Sequence, residues 1–313
     1  MNRESIKKSN SLSRKGRRDS FYILYLMAFP GIAALVLFSY VPMSYVLIAF
    51  LEYNPIRGLL NSSFVGVKNF IEALQDYYFR QAFINTVIIK LGQTLVTFPF
   101  SVLLALFLNE AIKPVRRVIQ TASILPYFIS WVAIATIFRN LLSPSGGLVN
   151  EILITWLGKQ HPIQFLSDPK IFRLLIIFQD AWKMGGFWAL IYLSAITSID
   201  PSLYESAMID GANRWQCMWY ITIPGISTTL STMFIILIGY LVLGPFEQVF
   251  SQYSPTVYST GDIIETFTFR LALSQQRYSY ATAVGFMQGI LALILVILTN
   301  KIIRSIEEGG GAF

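Results

Sequence analysis

Residues 204–224 read YESAMIDGANRWQCMWYITIP. They set Glu205, Asp210 and Arg214, a glycine at 211 and a closing Pro224 between long apolar runs on both sides. Two short helices around a turn account for the pattern. Asp200 can cap the first helix, with Pro201 in its first position, where a missing N–H costs nothing. Gly211 supplies the left-handed conformation that ends that helix. Asn213 caps the second, and Pro224 lies where it stops. Glu205 and Ile209, four residues apart, share a face. Ala207, Gly211 and Ala212 keep the surface low, so another protein can approach closely. A charged, small-residue helix pair between two apolar spans is shaped to dock into a cleft. The competing reading is an amphipathic helix lying on lipid, whose polar face is normally rich in Lys and Arg; this one has only Arg214.

The rest of the chain explains why such a segment sits where it does. Of 313 residues, 54% are hydrophobic and 13% charged, with a mean hydropathy of +0.56. A soluble domain carries about 25% charged residues. The apolar residues cluster into runs of bilayer-spanning length, roughly 20 residues each. Six spans follow, at about 21–51, 82–108, 118–141, 171–199, 226–246 and 281–303. All should be helices, because hydrocarbon cannot satisfy exposed backbone groups. The first is expected to be interrupted by Pro30, Gly31 and Pro42, and the third carries Pro126. The fold class is therefore an all-α membrane protein with six transmembrane helices. Residues 1–20 form a basic tail, 21–304 a single membrane domain containing the 200–224 loop, and 305–313 a flexible end.

Charge gives the orientation. The net charge is +7. The tail holds Arg3, Lys7, Lys8, Arg14, Lys15, Arg17 and Arg18 against Glu4 and Asp19. Immediately before an apolar span, such a tail reads as a cytoplasmic anchor near anionic lipid. Nucleic-acid binding would need a soluble domain that does not follow, and the run after Phe21 is too long for a cleaved signal sequence. With the N-terminus inside, the cytoplasmic side collects thirteen Lys and Arg and the outer side nine, the direction the positive-inside rule favours. Both termini and the 200–224 loop are then cytoplasmic. The long segments near 52–81, 142–170 and 247–280 are then external.

Catalytic chemistry is missing. The chain has no phosphate-cradling G-x-x-x-x-G-K-[ST], no H-E-x-x-H and no G-x-S-x-G. Its lone histidine, His161, reads as a solvated loop residue, and its lone cysteine, Cys217, as a small packing residue. No catalytic residue and no metal site are assigned. A membrane-embedded enzyme or a receptor or signalling anchor is the alternative function. The first lacks acid–base clusters, and the second does not need the helix pair.

The helix pair resembles a known signature. The membrane subunits of ATP-binding-cassette importers carry E-A-A-x-x-D-G-A, followed further on by I-x-L-P. Here the residues are Glu205-Ser206-Ala207-x-x-Asp210-Gly211-Ala212, with Ile221-Thr222-Ile223-Pro224 in register. Ser206 stands for the usual Ala and Ile223 for the usual Leu. "FVGVKNFIEAL" at 64–74, "FINTVII" at 83–89, "ILPYFISWVAIATIFRNLLSPSGGLVN" at 124–150 and "WALIYLSAITSIDPSLYESAMIDGA" at 188–212 resemble the carbohydrate-uptake branch of these permeases. Residues 25–55 resemble a subgroup serving complex oligosaccharides. The resemblance implies a type I importer permease in the cell membrane that carries carbohydrate. It implies pairing with a second, similar permease, two ATPase subunits docked on the coupling loop, and an external sugar-binding protein. ATP and Mg would be bound by the ATPase subunits, with no cofactor in this chain. Glu205, Ser206, Ala207, Asp210, Gly211, Ala212, Arg214 and Pro224 would form the ATPase-coupling surface.

Sugar recognition needs hydrogen-bonding groups and aromatic faces near the bilayer midplane. At 1.5 Å per residue, Gln179 to Lys183 lie about 12–18 Å inward from the outer end of the fourth span. Asp180 and Lys183 are spaced to neutralise each other. Trp182 could stack on a sugar ring. Tyr240 and Gln288 fall at comparable depth, and Glu247 and Gln248 near the outer mouth. These eight are the candidates for the substrate path, with hydrogen bonding inside the protein as their other use. Lys90 and Lys183 are candidate counter-charges should the cargo be acidic.

Overall fold

The computed structural model describes residues 25–309. The basic tail at 1–20 and residues 310–313 lie outside them. A first helix, α1, spans Tyr25–Phe50, and its most apolar 18 residues have a mean hydropathy of 2.1. Pro42 does not interrupt it. The turn before the proline widens to a π-helix over Val36–Tyr40, and the Val41 N–H reaches back to the Val36 carbonyl. That wider turn makes room for the ring, which a regular helix lacks. Pro30 and Gly31 also lie within continuous helix. A short antiparallel ribbon follows, β1 (Leu51–Glu52) with β2 (Ser63–Phe64), in the register Leu51↔Phe64 and Glu52↔Ser63. Nothing in the residue pattern announced it.

Helix α2 (Lys68–Gln75) leads into α3 (Tyr77–Glu110), which begins where the Asp76 carboxylate accepts the Tyr78 N–H at 2.8 Å. The third span differs from the expected single helix. It is two pieces, α4 (Lys113–Phe128) and α5 (Trp131–Leu141), bent by 104°. After α6 (Leu148–Thr155), α7 (Pro169–Thr197) starts with Asp168 capping and Pro169 in the first position. The loop helices are α8 (Pro201–Ile209) and α9 (Arg214–Gly225), the latter bent by 60° against α10 (Ser227–Gly239). The fifth span is therefore shorter than expected at its far end. Helix α10 stops at Gly239, and the chain turns before α11 (Phe246–Phe250) and α12 (Tyr258–Gly261). Helix α13 (Ile264–Ser274) precedes α14 (Tyr278–Gly309), which is helical through the first five residues of the segment read as a flexible end. Four unbroken helices are long and apolar enough to cross a membrane, and the number reaches six where each bent pair is one span.

Packing centres on α3 against α7. One cluster joins Ala105, Leu108, Ala189, Tyr192 and Ile226 near the α8–α9 end. A second joins Ile89, Phe172, Ile176, Val249 and Ile263 near the other end. Cross-links group the loops by end. Arg139 donates to the Ser251 carbonyl, Gln81 to the Ser259 carbonyl and Thr260 to the Pro169 carbonyl. At the opposite end, Arg214 meets Glu110 at 2.9 Å. The 142–168 and 240–277 segments thus share one end, and the 200–224 loop lies at the other with the turn after α3.

Candidate functional site

The 200–224 loop forms the helix–turn–helix that its residues predict. The Asp200 carboxylate accepts the Ser202 N–H at 2.9 Å, and this bond holds its carboxyl below the usual carboxylate range. Gly211 stands at φ +84°. Its N–H donates to the Met208 carbonyl at 3.1 Å, and the Ala212 N–H to the Ala207 carbonyl at 2.9 Å. These two bonds are the Schellman closure of a helix end, which satisfies carbonyls that would otherwise be orphaned. Asn213 and Gln216 then form a reciprocal capping box, with bonds of 3.0 and 2.8 Å. Tyr204 ties the two helices together through the Thr222 hydroxyl at 2.9 Å. Pro224 lies in the last turn of α9, one residue before its end. The turn is therefore fixed from both sides by local bonds, as a rigid unit needs.

What that unit exposes is as informative. Glu205, Ser206 and Asp210 are exposed, and Ala207 and Ala212 half-buried. Ile209 is 87% exposed, on the same face as Glu205. None of the three ion pairs among the described residues includes Glu205. Arg214 differs from its neighbours, because its partner lies in this chain, on Glu110 at the end of α3. Both groups are largely exposed, so the pair contributes at most about 1 kcal/mol.

The interior polar residues are placed otherwise than expected. Gln179 and Gln248 are fully buried. The Gln179 and Gln252 amides bond reciprocally at 2.8 Å. The Gln248 amide donates to the Ile176 carbonyl at 2.8 Å and to Gln179 at 3.3 Å, and accepts from Gln93 at 2.9 Å. Four glutamines thus tie α3, α7 and α11 together, the other use foreseen for such residues, with only the Gln93 Oε1 left without a partner among them. Gln93 and Gln252 belong to this cluster, and only their residue type hinted at it. Gln288 donates to the Val242 carbonyl and to Glu265, both at 2.6 Å. Glu265 itself was not singled out by the sequence; it also accepts the Gly244 N–H at 2.5 Å.

Asp180 and Lys183 do not neutralise each other. The Asp180 carboxylate accepts from the Thr97 hydroxyl at 2.7 Å. Lys183, only 6% exposed, donates to the carbonyls of Pro126 at 3.3 Å, Tyr127 at 2.9 Å and Ile129. A three-residue offset turns the two groups toward different neighbours, α3 for one and α4 for the other. Lys183 is therefore engaged within the chain, whereas none of the three ion pairs among the described residues includes Lys90, which stays a candidate counter-charge. Trp182 meets Phe138 edge-on, with ring centres 5.9 Å apart, and keeps 38% of its surface exposed. Tyr240, at the end of α10, and Glu247 are also exposed. Trp182, Tyr240 and Glu247 remain able to meet a ligand.

Residues 97–308 match the profile of the family described as "Binding-protein-dependent transport system inner membrane component". The chain belongs to that family. It is a multi-pass membrane permease and a transport subunit. The polygalacturonan/rhamnogalacturonan transport system permease protein YteP of Bacillus subtilis (strain 168) is 38% identical over 288 residues, covering 92% of this chain and 89% of that one. A chain from the crystal structure of a bacterial ABC transporter involved in the import of the acidic polysaccharide alginate superposes with a TM-score of 0.85. Its identity is 38%, over 95% of this permease and 99% of that chain. The bacterial alginate ABC transporter in complex with its alginate pentasaccharide-bound periplasmic protein gives the same TM-score at 37% identity, covering 94% and 97%. The profile spans α8 and α9, so the helix pair lies inside the matched part of the permease.

Proposed function

We propose that this permease forms half of the translocation path of an ATP-driven importer for carbohydrate, an oligosaccharide, and that its 200–224 loop is the surface on which the ATPase subunits dock. In this reading a second, similar permease completes the path, two ATPase subunits bind ATP and Mg, and an external binding protein delivers the sugar. The relatives support the cargo class, since polygalacturonan, rhamnogalacturonan and alginate are named for them. Within this chain Lys90 is the lysine left to answer an acidic cargo, because Lys183 is already engaged by backbone carbonyls and no ion pair among the described residues includes Lys90. The N-terminus and the loop face the cytoplasm, on the Lys and Arg balance.

One observation carries the docking role: a locally locked helix pair presents Glu205 and Ile209 outward, and Glu205 has no ionic partner in the described chain. Docking would desolvate Glu205 together with a basic group of the ATPase. Removing one partner of a buried pair costs roughly 3–5 kcal/mol. At about 1.4 kcal/mol per factor of ten, the lower figure weakens the contact about a hundredfold. Glu205→Ala should therefore lose ATPase subunits during purification, or lose sugar uptake while holding them loosely. Glu151→Ala is the control, on an exposed glutamate at the other end of the molecule. Glu72 is unsuitable for that purpose because it pairs with Arg277. If Glu205→Ala and Glu151→Ala both behave as wild type, Glu205 is a solvated surface charge and the docking role is lost.

A further inference from the structure

The third span breaks beside the middle of α7. Helices α4 and α5 meet at 104°, with Ile129 and Ser130 between them. Lys183, which faces the break, is about 21 Å along α7 by the helical rise, near its middle. A helix end leaves backbone groups without partners, and hydrocarbon supplies none. On the α5 side, Ser130 accepts the Ala133 N–H at 3.2 Å. On the α4 side, the Pro126, Tyr127 and Ile129 carbonyls converge on the Lys183 ammonium. A cation there also meets the negative end of the α4 dipole.

Two further contacts press the same faces together. The Tyr127 and Phe187 rings stack with centres 4.3 Å apart and planes 7° from parallel. Gly186 packs so closely that a Cβ would stand 2.0 Å from the Ser123 carbonyl oxygen. At its other end α7 runs through residues 198–200 directly into α8.

The geometry points to Lys183 as a positioning residue: its ammonium latches the bend of the third span onto α7, so that movement of the coupling loop, delivered along α7, carries α4 and α5 with it. The inference rests on the coupling role proposed for residues 200–224. Lys183 acts through the bent span and does not touch the cargo. What holds the carbonyls is a charged donor. Methionine can fill the same space without donating, whereas arginine keeps both charge and donors.

The test uses the assembled transporter with its partner subunits, reconstituted in vesicles, in a Cys217→Ser background. Spin labels at exposed Val118 and Val132 report the bend from its two sides. Uptake per ATP hydrolysed is measured beside the inter-label distance. Lys183→Met should keep its ATPase subunits, change or broaden the distance, and lower uptake per ATP by about tenfold, equivalent to about 1.4 kcal/mol. Lys183→Arg should restore most of the uptake and the wild-type distance. Gly186→Ala, which forces α4 from α7 without touching the charge, should reproduce Lys183→Met. Wild-type uptake with an unchanged distance in Lys183→Met overturns the proposal, as does a changed distance with unchanged uptake. The label distance does not depend on the ATPase contact, and Glu205→Ala probes that contact alone, so the two readings fail separately.

Discussion

Gly211 sits at φ +84°, with no atom within 4 Å of the place a Cβ would take. Space is therefore not what excludes a side chain there; the backbone conformation is. An L-residue in this region costs roughly 1–2 kcal/mol, and asparagine tolerates it better than most. A β-branched residue is the worst case. Gly211→Val should thus insert in the membrane normally, lose the Met208 and Ala207 closure, and transport at least about tenfold less per ATP hydrolysed, a change worth about 1.4 kcal/mol. Gly211→Asn should retain most of the coupling. Equal sugar uptake per ATP hydrolysed in Gly211→Val and wild-type vesicles would contradict the role of the turn. This residue was legible from the sequence because its cause is local: a glycine between a capped helix and an Asn cap has few other uses. Asp200 and Asn213 were legible for the same reason.

At the scale of elements, legibility falls where the cause is a contact across the fold. Gln179 and Gln248 were expected at different depths, one within the span and one near the outer mouth, but the two side chains meet, and their amides also bond to Gln252 and Gln93 on other elements. The bend at residues 129–130 escaped notice because Pro126, the visible signal, lies inside the last turn of α4, and the partner that holds the break is Lys183 on α7. The glutamine cluster has a measurable signature. Leucine at 179 deprives Gln252 of its reciprocal bonds and Gln248 of one acceptor. A buried polar group left unsatisfied costs about 1–3 kcal/mol. Gln179→Leu should therefore lower the unfolding midpoint of the purified transporter in detergent and leave the sugar concentration for half-maximal uptake unchanged. The opposite outcome, weaker sugar dependence at an unchanged midpoint, would return Gln179 to the substrate path. Adding Gln252→Leu should recover part of the lost stability, since removing both partners costs less than orphaning one.

For the whole molecule, the residue pattern and the fold agree on which loops share an end, and the charge balance alone assigns a side to each. Ser145 and Ser202 are exposed and lie beyond opposite ends of α7, a helix about 43 Å long by its rise. A membrane crossed by α7 must put them on opposite faces. The basic residues of the tail and those at Lys113, Arg116 and Arg117 favour the cytoplasm for the end that carries Ser202. In a Cys217→Ser background, a cysteine at 145 should react with an impermeant thiol reagent applied to intact cells. A cysteine at 202 should react only after the membrane is opened. Cys217 must be removed first, because it lies half-buried within the same loop and would report on the inner face by itself. Labelling of position 202 from outside, with 145 protected, would invert the molecule. The coupling surface would then face away from the compartment that holds ATP, and both the docking of Glu205 and the route of force through α7 would fall with the orientation.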